Sequence, residues 1–381
     1  GLIAVAAGLA AGLERRTRLP VRADRPELAP LRAAWGGDLL RPPSESATMR
    51  AIAGFARMVR AKRPEGERAL GLRRLARTGS GLALATALAL IPFAGTWGGR
   101  RDDPVLAPLD LTYGLVAIGL LLLLGSLARV TRGLADRDPW SRIGSVRQAG
   151  RTLSAFSLFL LVIAPLAIAG GSLRLHDLVM AQQLEVQPFA VTLGSGEASL
   201  PPMLQQLHVP AWNVLLQPLT ALLFIPAIGL LLRSPRAEEA TRGAVAVAGF
   251  DLDAGPDELY WSRLEERIGR VLASALFVTL FLGGGDLPGL SPDRAIAELS
   301  GYFGQTLPRL AMAGLSSAIF VAKWIGVMMI AARIERVIAV GSGERALRLL
   351  SRRLIPLAWA NLLLVAALIL AREGAVEGWA G

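Results

Sequence analysis

Long apolar runs alternate with arginine-rich segments along this chain of 381 residues. A helix needs about 20 apolar residues to cross a hydrocarbon layer about 30 Å thick. With 53% hydrophobic residues and a mean hydropathy of +0.47, the pattern predicts one all-α, polytopic membrane domain over residues 1–381, with about eight transmembrane helices. The predicted spans are 1–13, 80–97, 106–128, 152–171, 212–232, 270–282, 307–332 and 354–371. The first span is short and lacks an initial Met, so we interpret it as the end of a longer helix.

Several classes of function are excluded by missing residue types. The chain has no cysteine and two histidines, His176 and His208, which excludes disulfides, thiolate iron–sulfur clusters and Cys/His zinc sites. No metal site is therefore expected, and any redox centres must belong to partner chains. No basic stretch is interleaved with aromatic residues, which argues against a nucleic-acid-binding protein.

The distribution of charge predicts an orientation in the membrane, because cytoplasmic loops carry an excess of Lys and Arg. Net charge is +9 over 14–79 and +4 over both 129–151 and 333–353, whereas the intervening loops are neutral or weakly acidic. The segment 233–270 is acidic overall but still holds six basic residues. We predict cytoplasmic loops at 14–79, 129–151, 233–269 and 333–353, both termini outside, and a bacterial or archaeal cytoplasmic membrane.

The first cytoplasmic loop contains an amphipathic pattern at about 46–63. Apolar residues recur there at three- and four-residue spacing, with basic residues beside them. The pattern is typical of a helix that lies on the inner membrane surface. A helix that packs against another subunit has the same pattern, and both interpretations stay open.

Among the ionisable residues in or beside the predicted spans, four stand out: Asp110, Glu265, Glu266 and Lys323. Charge inside a bilayer is costly, so each is a candidate for function. Other interpretations are open for each. Asp110 also suits a hydrated position near the outer interface, and Lys323 also suits a structural position. The two glutamates open the sixth span among arginines, so they also suit a solvated surface network.

Several short segments, in this order, resemble subunit 1 of respiratory complex I, which is designated H in NADH-quinone oxidoreductase, and its relatives in energy-converting membrane-bound hydrogenases and formate hydrogenlyases. The similar segments are residues 110–115 (DLTYGL), 171–179 (GSLRLHDLV), 217–219 (QPL), 233–235 (RSP), 248–250 (AGF), 279–284 (TLFLGG), 353–357 (RLIPL) and 361–363 (NLL). Each motif alone is weak, but the collinear order over most of the chain is fairly specific.

The resemblance implies a membrane-arm subunit, without redox cofactor of its own, at the junction with a hydrophilic redox arm. Such a subunit couples electron transfer, of quinone or hydrogenase type, to proton or sodium translocation. The implied partners are antiporter-like and small membrane subunits, iron–sulfur and [NiFe]-hydrogenase-like or quinone-module subunits, and lipid; a quinone is implied at the interface in quinone-reducing members. The ion relay would comprise Asp110, Asp253, Glu265, Glu266 and Lys323. Cavity or interface roles would fall to Arg25, Arg147, Arg233, Glu238 and Glu239.

The chain also departs from the family pattern. Phe156 and Leu230 stand where the family has glutamates, and the long inner loop has fewer acids. The first inner loop, from Arg25 to Pro43, is more similar to the hydrogenase-type members. These departures favour one alternative, a degenerate structural anchor without an active proton relay. The charges predicted inside the membrane leave a second alternative open, a stand-alone secondary transporter.

Overall fold

The computed structural model describes residues 67–93, 107–135, 139–183, 185–186, 209–232, 256–286, 292–304, 306–337 and 349–377. Within these ranges the regular elements are helices, apart from one short ribbon, and turns connect them. The elements are α1 (Glu67–Ala89), α2 (Gly114–Leu134), α3 (Pro139–Gly170), α4 (Leu175–Ala181), β1 (Glu185–Val186), β2 (Val209–Pro210), α5 (Asn213–Leu216), α6 (Pro218–Leu232), α7 (Pro256–Phe281), α8 (Pro292–Phe303), α9 (Thr306–Val337), a π-helical turn (Leu350–Leu354) and α10 (Ile355–Glu377).

Four helical segments of the described part are long and apolar enough to cross a membrane. They are Gly114–Leu134, Arg142–Gly170, Thr306–Arg333 and Leu350–Ala371, and α6 is a shorter apolar helix. The predicted all-α membrane architecture is confirmed at this level. The total of about eight spans and the outside position of both termini stay predictions, and the segments 1–13 and 46–63 lie outside the described residues.

Several helices begin at other residues than the apolar runs predict. Helix α2 begins at Gly114 rather than near residue 106, since Pro108 lacks an N–H and disfavours helix in the residue before it. Helices α3 and α7 begin earlier than predicted, each at a proline, a residue suited to the first helical turn. The polar turns that follow those prolines extend the helices beyond their apolar runs.

The helices pack around one apolar core. Helix α2 lies between α1 and α3; α3 also contacts α6 and α10, and α7 contacts α1, α6 and α9. The ring of Phe224 lies 5.3 Å from that of Phe281 and 6.2 Å from that of Phe159, so aromatic contacts join α3, α6 and α7 at the centre. This arrangement brings residues of α1, α2, α6 and α7 together.

A short antiparallel ribbon connects two parts of the chain beyond α4. Glu185 pairs with Pro210, and Val186 with Val209. The ribbon leads directly into Trp212 and α5, which lie against the C-terminal end of α7. It thereby helps to place the residues of the second junction described below.

Candidate functional site

Three helices meet at a buried ion pair around Glu265 of α7. The carboxylate accepts a hydrogen bond from Arg132 Nη2 of α2 at 2.5 Å and another from the hydroxyl of Ser80 of α1. Glu265 is 2% exposed and Arg132 is 7% exposed. We call Ser80, Ser126, Arg129, Arg132 and Glu265 the carboxylate junction.

The burial of this ion pair has a physical cost. Two charges removed from water lose several kcal/mol of hydration each, and their attraction compensates for this only with good geometry and further hydrogen bonds. Glu265 has such bonds from two helices, but Nε of Arg132 is buried without a hydrogen-bond partner. The pair is therefore incompletely satisfied, because one buried donor has no partner among the described residues.

Arg129, one turn before Arg132 on α2, binds the end of α6. Its guanidinium donates to the carbonyl oxygens of Leu231 (3.1 Å) and Leu232 (2.8 Å), and Ser126 Oγ also donates to Leu231 O at 2.8 Å. The last carbonyls of a helix lack intrahelical partners and carry partial negative charge. The guanidinium of Arg129 supplies both the missing hydrogen-bond donors and a compensating positive charge, and it fixes α6 against α2.

A second charge inside the fold, Lys323, lies half-buried near the middle of α9. Its ammonium Nζ donates to the carbonyl oxygens of Leu282 (2.6 Å), Gly284 (3.1 Å) and Asp286 (2.6 Å). It also lies 4.6 Å from the ring centroid of Trp212, in a cation–π arrangement. We call Lys323, Trp212 and the turn 282–286 the ammonium junction.

Consecutive glycines shape this turn. Gly283 and Gly284 have φ values of 67° and 59°, a region that glycine adopts without the steric cost of a Cβ. A Cβ on Gly283 would lie 2.8 Å from the indole nitrogen of Trp212, and one on Gly285 would lie 2.5 Å from the backbone oxygen of Ser316. The turn therefore has to be made of glycine to present its carbonyls to Lys323.

Neutral side chains satisfy the remaining free groups at the end of α7. Gln182 Nε2 donates to Thr279 O at 3.0 Å, and its Oε1 accepts from the backbone N–H of Gly283 at 3.0 Å. Asn213 Nδ2 donates to Leu280 O at 2.7 Å. Together with Lys323, which binds carbonyls of the turn after α7, these side chains hold the C-terminal end of α7 and its turn from three other segments of the chain.

Asp286 ends this turn and carries a carboxyl group that faces the interior. Its Oδ2 atom is buried without a hydrogen-bond partner. Burial raises the pKa of Asp286 to about 6, against the opposing effects of a hydrogen bond from Gln183 and the charge of Lys323.

Asp110 lies before α2 and not inside a helix. It pairs with Arg174, whose Nε donates to Asp110 Oδ2 at 2.9 Å; the side chains of Arg174 and Asp110 are 35% and 25% exposed. The hydrogen bond and charge of Asp110 raise the pKa of Arg174. The position agrees with the hydrated alternative for Asp110, and the pair holds the segment before α2 against the start of α4.

The other predicted site residues divide between the two junctions and positions outside them. Glu265 and Glu266 lie well inside α7, which begins at Pro256, so their predicted position at the start of a helix is wrong. The solvated network predicted for them does not hold for Glu265, which is buried; Glu266 is half-buried and Arg147 is exposed. The remaining five residues lie outside the described residues: Arg25, Arg233, Glu238, Glu239 and Asp253.

Sequence reasoning misses most partners of the charges that it finds. Arg132 forms its ion pair with a residue 133 positions away, and no local pattern links the two. A usable signal exists for Arg129 and Arg132, which stand one turn apart at the end of a long apolar run. Asp286 follows three glycines directly after an apolar helix, a pattern typical of a tight turn around a polar group.

Fold and site together define an all-α integral membrane protein with charge enclosed at its helix junctions. The chain belongs to the NADH dehydrogenase family, whose model matches residues 74–366. This confirms the resemblance to subunit 1 of respiratory complex I.

Two curated relatives illustrate the similarity. The NADH-quinone oxidoreductase subunit designated H 2 of Cereibacter sphaeroides is 29% identical over 202 residues, which are 53% of this chain and 55% of the relative. The NADH-quinone oxidoreductase subunit designated H of Thermomicrobium roseum is 28% identical over 203 residues, or 52% and 54%. The chain thus spans about half the length of the curated relatives it matches.

Proposed function

We propose that this chain is a membrane subunit of a complex I-like oxidoreductase and couples electron transfer in partner subunits to ion translocation. The supporting observation is the Glu265–Arg132 ion pair, which is buried where α1, α2 and α7 meet and incompletely satisfied. A buried ion pair is screened much less than an exposed one, so it responds to a change in nearby charge. Such a pair is suited to respond when a redox event in a partner subunit alters the local field.

The proposed setting follows from family membership. The relatives are named as subunits of NADH-quinone oxidoreductase, and the chain has no cysteine to hold an iron–sulfur cluster. The redox centres would lie in hydrophilic partners, which for the hydrogenase-type alternative include a [NiFe] subunit. The membrane partners would be antiporter-like and small subunits in a bacterial or archaeal cytoplasmic membrane. A quinone would be a substrate at the interface with these partners.

The proposed coupling role is tested by Glu265→Gln in the purified complex. The amide keeps the size of the side chain but removes its negative charge and its ability to exchange a proton. We expect ion pumping per electron to fall by roughly tenfold or more, within the effect of removing a positioned proton-transfer group. Pumping is measured in proteoliposomes beside electron transfer in detergent.

Glu298→Gln is the matched control, since it makes the same change at an exposed glutamate on α8 that belongs to neither junction. The proposal predicts a smaller effect there. Equal pumping by wild type and Glu265→Gln, with the complex intact, would contradict the coupling role.

One observation supports a second function, that of a structural anchor. At the two positions where the family has glutamates, Phe156 and Leu230 pack against the apolar core. A relay interrupted at both positions would leave the subunit to hold its partners together. The anchor predicts that neutral substitutions of Asp110, Glu266 and Lys323 leave turnover-linked pumping intact.

A further inference from the structure

The carboxyl group of Asp286 has an unusual position for a charged side chain. It lies beside the ammonium of Lys323, yet the three N–H bonds of that ammonium go to backbone carbonyls, including that of Asp286 itself. Oδ2 of the carboxyl is buried and has no hydrogen-bond partner. The two opposite charges are therefore neighbours without a direct hydrogen bond through this oxygen.

This arrangement disfavours the ionised carboxylate. A buried anion with one oxygen that lacks a donor loses hydration that its other interactions replace only in part, and the neutral acid loses much less. The rise of the Asp286 pKa to about 6 has the same origin in burial. Both observations place the carboxyl close to the balance between its two forms near neutral pH.

The charge of Lys323 acts on the equilibrium between the ionised and the neutral form of the Asp286 carboxyl. Uncharged side chains lie nearest to the three glycines of the turn, namely those of Val179, Gln182, Trp212 and Ser316, and Lys323 is the charged group that acts on the Asp286 carboxyl. Gln183 adds a neutral hydrogen bond to the carboxyl. The glycines pack the turn closely against Trp212 and Ser316, and three carbonyls of the turn hold the Lys323 ammonium beside it.

We propose that Asp286 is a reversible proton-binding residue of this subunit, and that the fixed ammonium of Lys323 controls how readily its carboxyl releases the proton. The step forms one O–H bond on the carboxylate with a proton from water and breaks it on release, and no other bond changes. Proton binding itself is independent of the proposed coupling function; a role in turnover rests on that function.

Infrared difference spectroscopy of the purified complex between mildly acidic and mildly alkaline pH tests the inference. Protonation of Asp286 gives a carbonyl-stretch band with a midpoint near pH 6. Asp286→Asn removes that band while it keeps the backbone carbonyl that binds Lys323. The matched control is Asp177→Asn, since Asp177 accepts a hydrogen bond from Ser172 Oγ; this variant retains the band.

Lys323→Met tests the role of the ammonium. Loss of a nearby cation disfavours the carboxylate, so the midpoint of the band rises by about one to three pH units. Gln183→Ala keeps the carboxyl but removes a bond that favours its ionised form, so its midpoint also rises. This second variant tests the site even where Asp286→Asn fails to assemble.

The outcomes separate this inference from the proposed function. An unchanged band in Asp286→Asn overturns it, and so do unchanged midpoints in both Lys323→Met and Gln183→Ala. A band lost in Asp286→Asn with unaltered pumping supports proton binding and removes its link to turnover. Failure of Glu265→Gln to alter pumping contradicts the coupling role alone and leaves the proton-binding result standing.

Discussion

The two junctions stabilise charge inside the fold in different ways. At the carboxylate junction, Glu265 and Arg132 are both side chains, so either partner can be replaced and the other is then left as a buried charge. At the ammonium junction, Lys323 is bound by backbone carbonyls, and a substitution elsewhere cannot remove those acceptors. The first junction is therefore a pair whose charges can respond to each other, and the second is a fixed cation.

Arg132→Met is the change that distinguishes the junctions most strongly. It leaves Glu265 buried and without its cation, and breaking such a pair costs about 3–5 kcal/mol. We expect a loss of that size in the free energy of unfolding, measured by denaturation of the purified protein in mild detergent. Arg147→Met is the control, since Arg147 is exposed on α3 and its loss should change stability by about 0.5 kcal/mol or less.

The double substitution Arg132→Met with Glu265→Leu sharpens the same comparison. With both charges gone, apolar side chains of similar size fill the space, and most of the lost stability should return. A double variant as unstable as Arg132→Met alone would show that the loss does not come from the buried carboxylate.

Lys323→Met should cost less than Arg132→Met. It leaves three backbone carbonyl groups without this donor, at about 1 kcal/mol each, the lower end of the range for an unsatisfied buried group because Lys323 is half-buried. It also removes the cation itself, so no unpaired cation is left behind. No second substitution can restore this loss, because the acceptors belong to the backbone. A loss above that of Arg132→Met would contradict the distinction drawn between the junctions.

How far sequence predicts these junctions depends on how local the signal is. Lys323 stands out because a lysine interrupts a long apolar run, and Glu265 because two acids stand beside a span. Their partners are not local: Arg132 lies 133 residues from Glu265, and the carbonyls that bind Lys323 lie 37 to 41 residues away. Apolar runs likewise predict that the helices exist, but not their polar extensions, because the membrane determines only the apolar part of each helix.

Gly283→Ala tests whether the ammonium junction needs its glycine turn. The new Cβ would lie 2.8 Å from the indole nitrogen of Trp212, at a φ of 67° that alanine rarely adopts. We expect a loss of about 1–3 kcal/mol from strain and overpacking. Adding Trp212→Ala should relieve the clash but not the backbone strain, so we expect the double variant to recover part of the lost free energy of unfolding. Full recovery would show that strain in the turn contributes nothing.

Arg174→Ala should have the smallest effect, because its ion pair with Asp110 lies at the partly exposed edge of the structure. The side chains are 35% and 25% exposed, and exposed pairs contribute about 0–1 kcal/mol because water and ions screen them. Raising the salt concentration should reduce even this difference in the free energy of unfolding between variant and wild type. The loss of stability in Arg132→Met should persist at high salt, because its partner Glu265 is buried away from mobile ions. Unfolding measured at low and at high salt compares both variants directly. If Arg174→Ala lost as much free energy of unfolding as Arg132→Met at high salt, the exposed pair would be as resistant to screening as the buried one. Burial would then not explain why the two substitutions differ in their effect on stability.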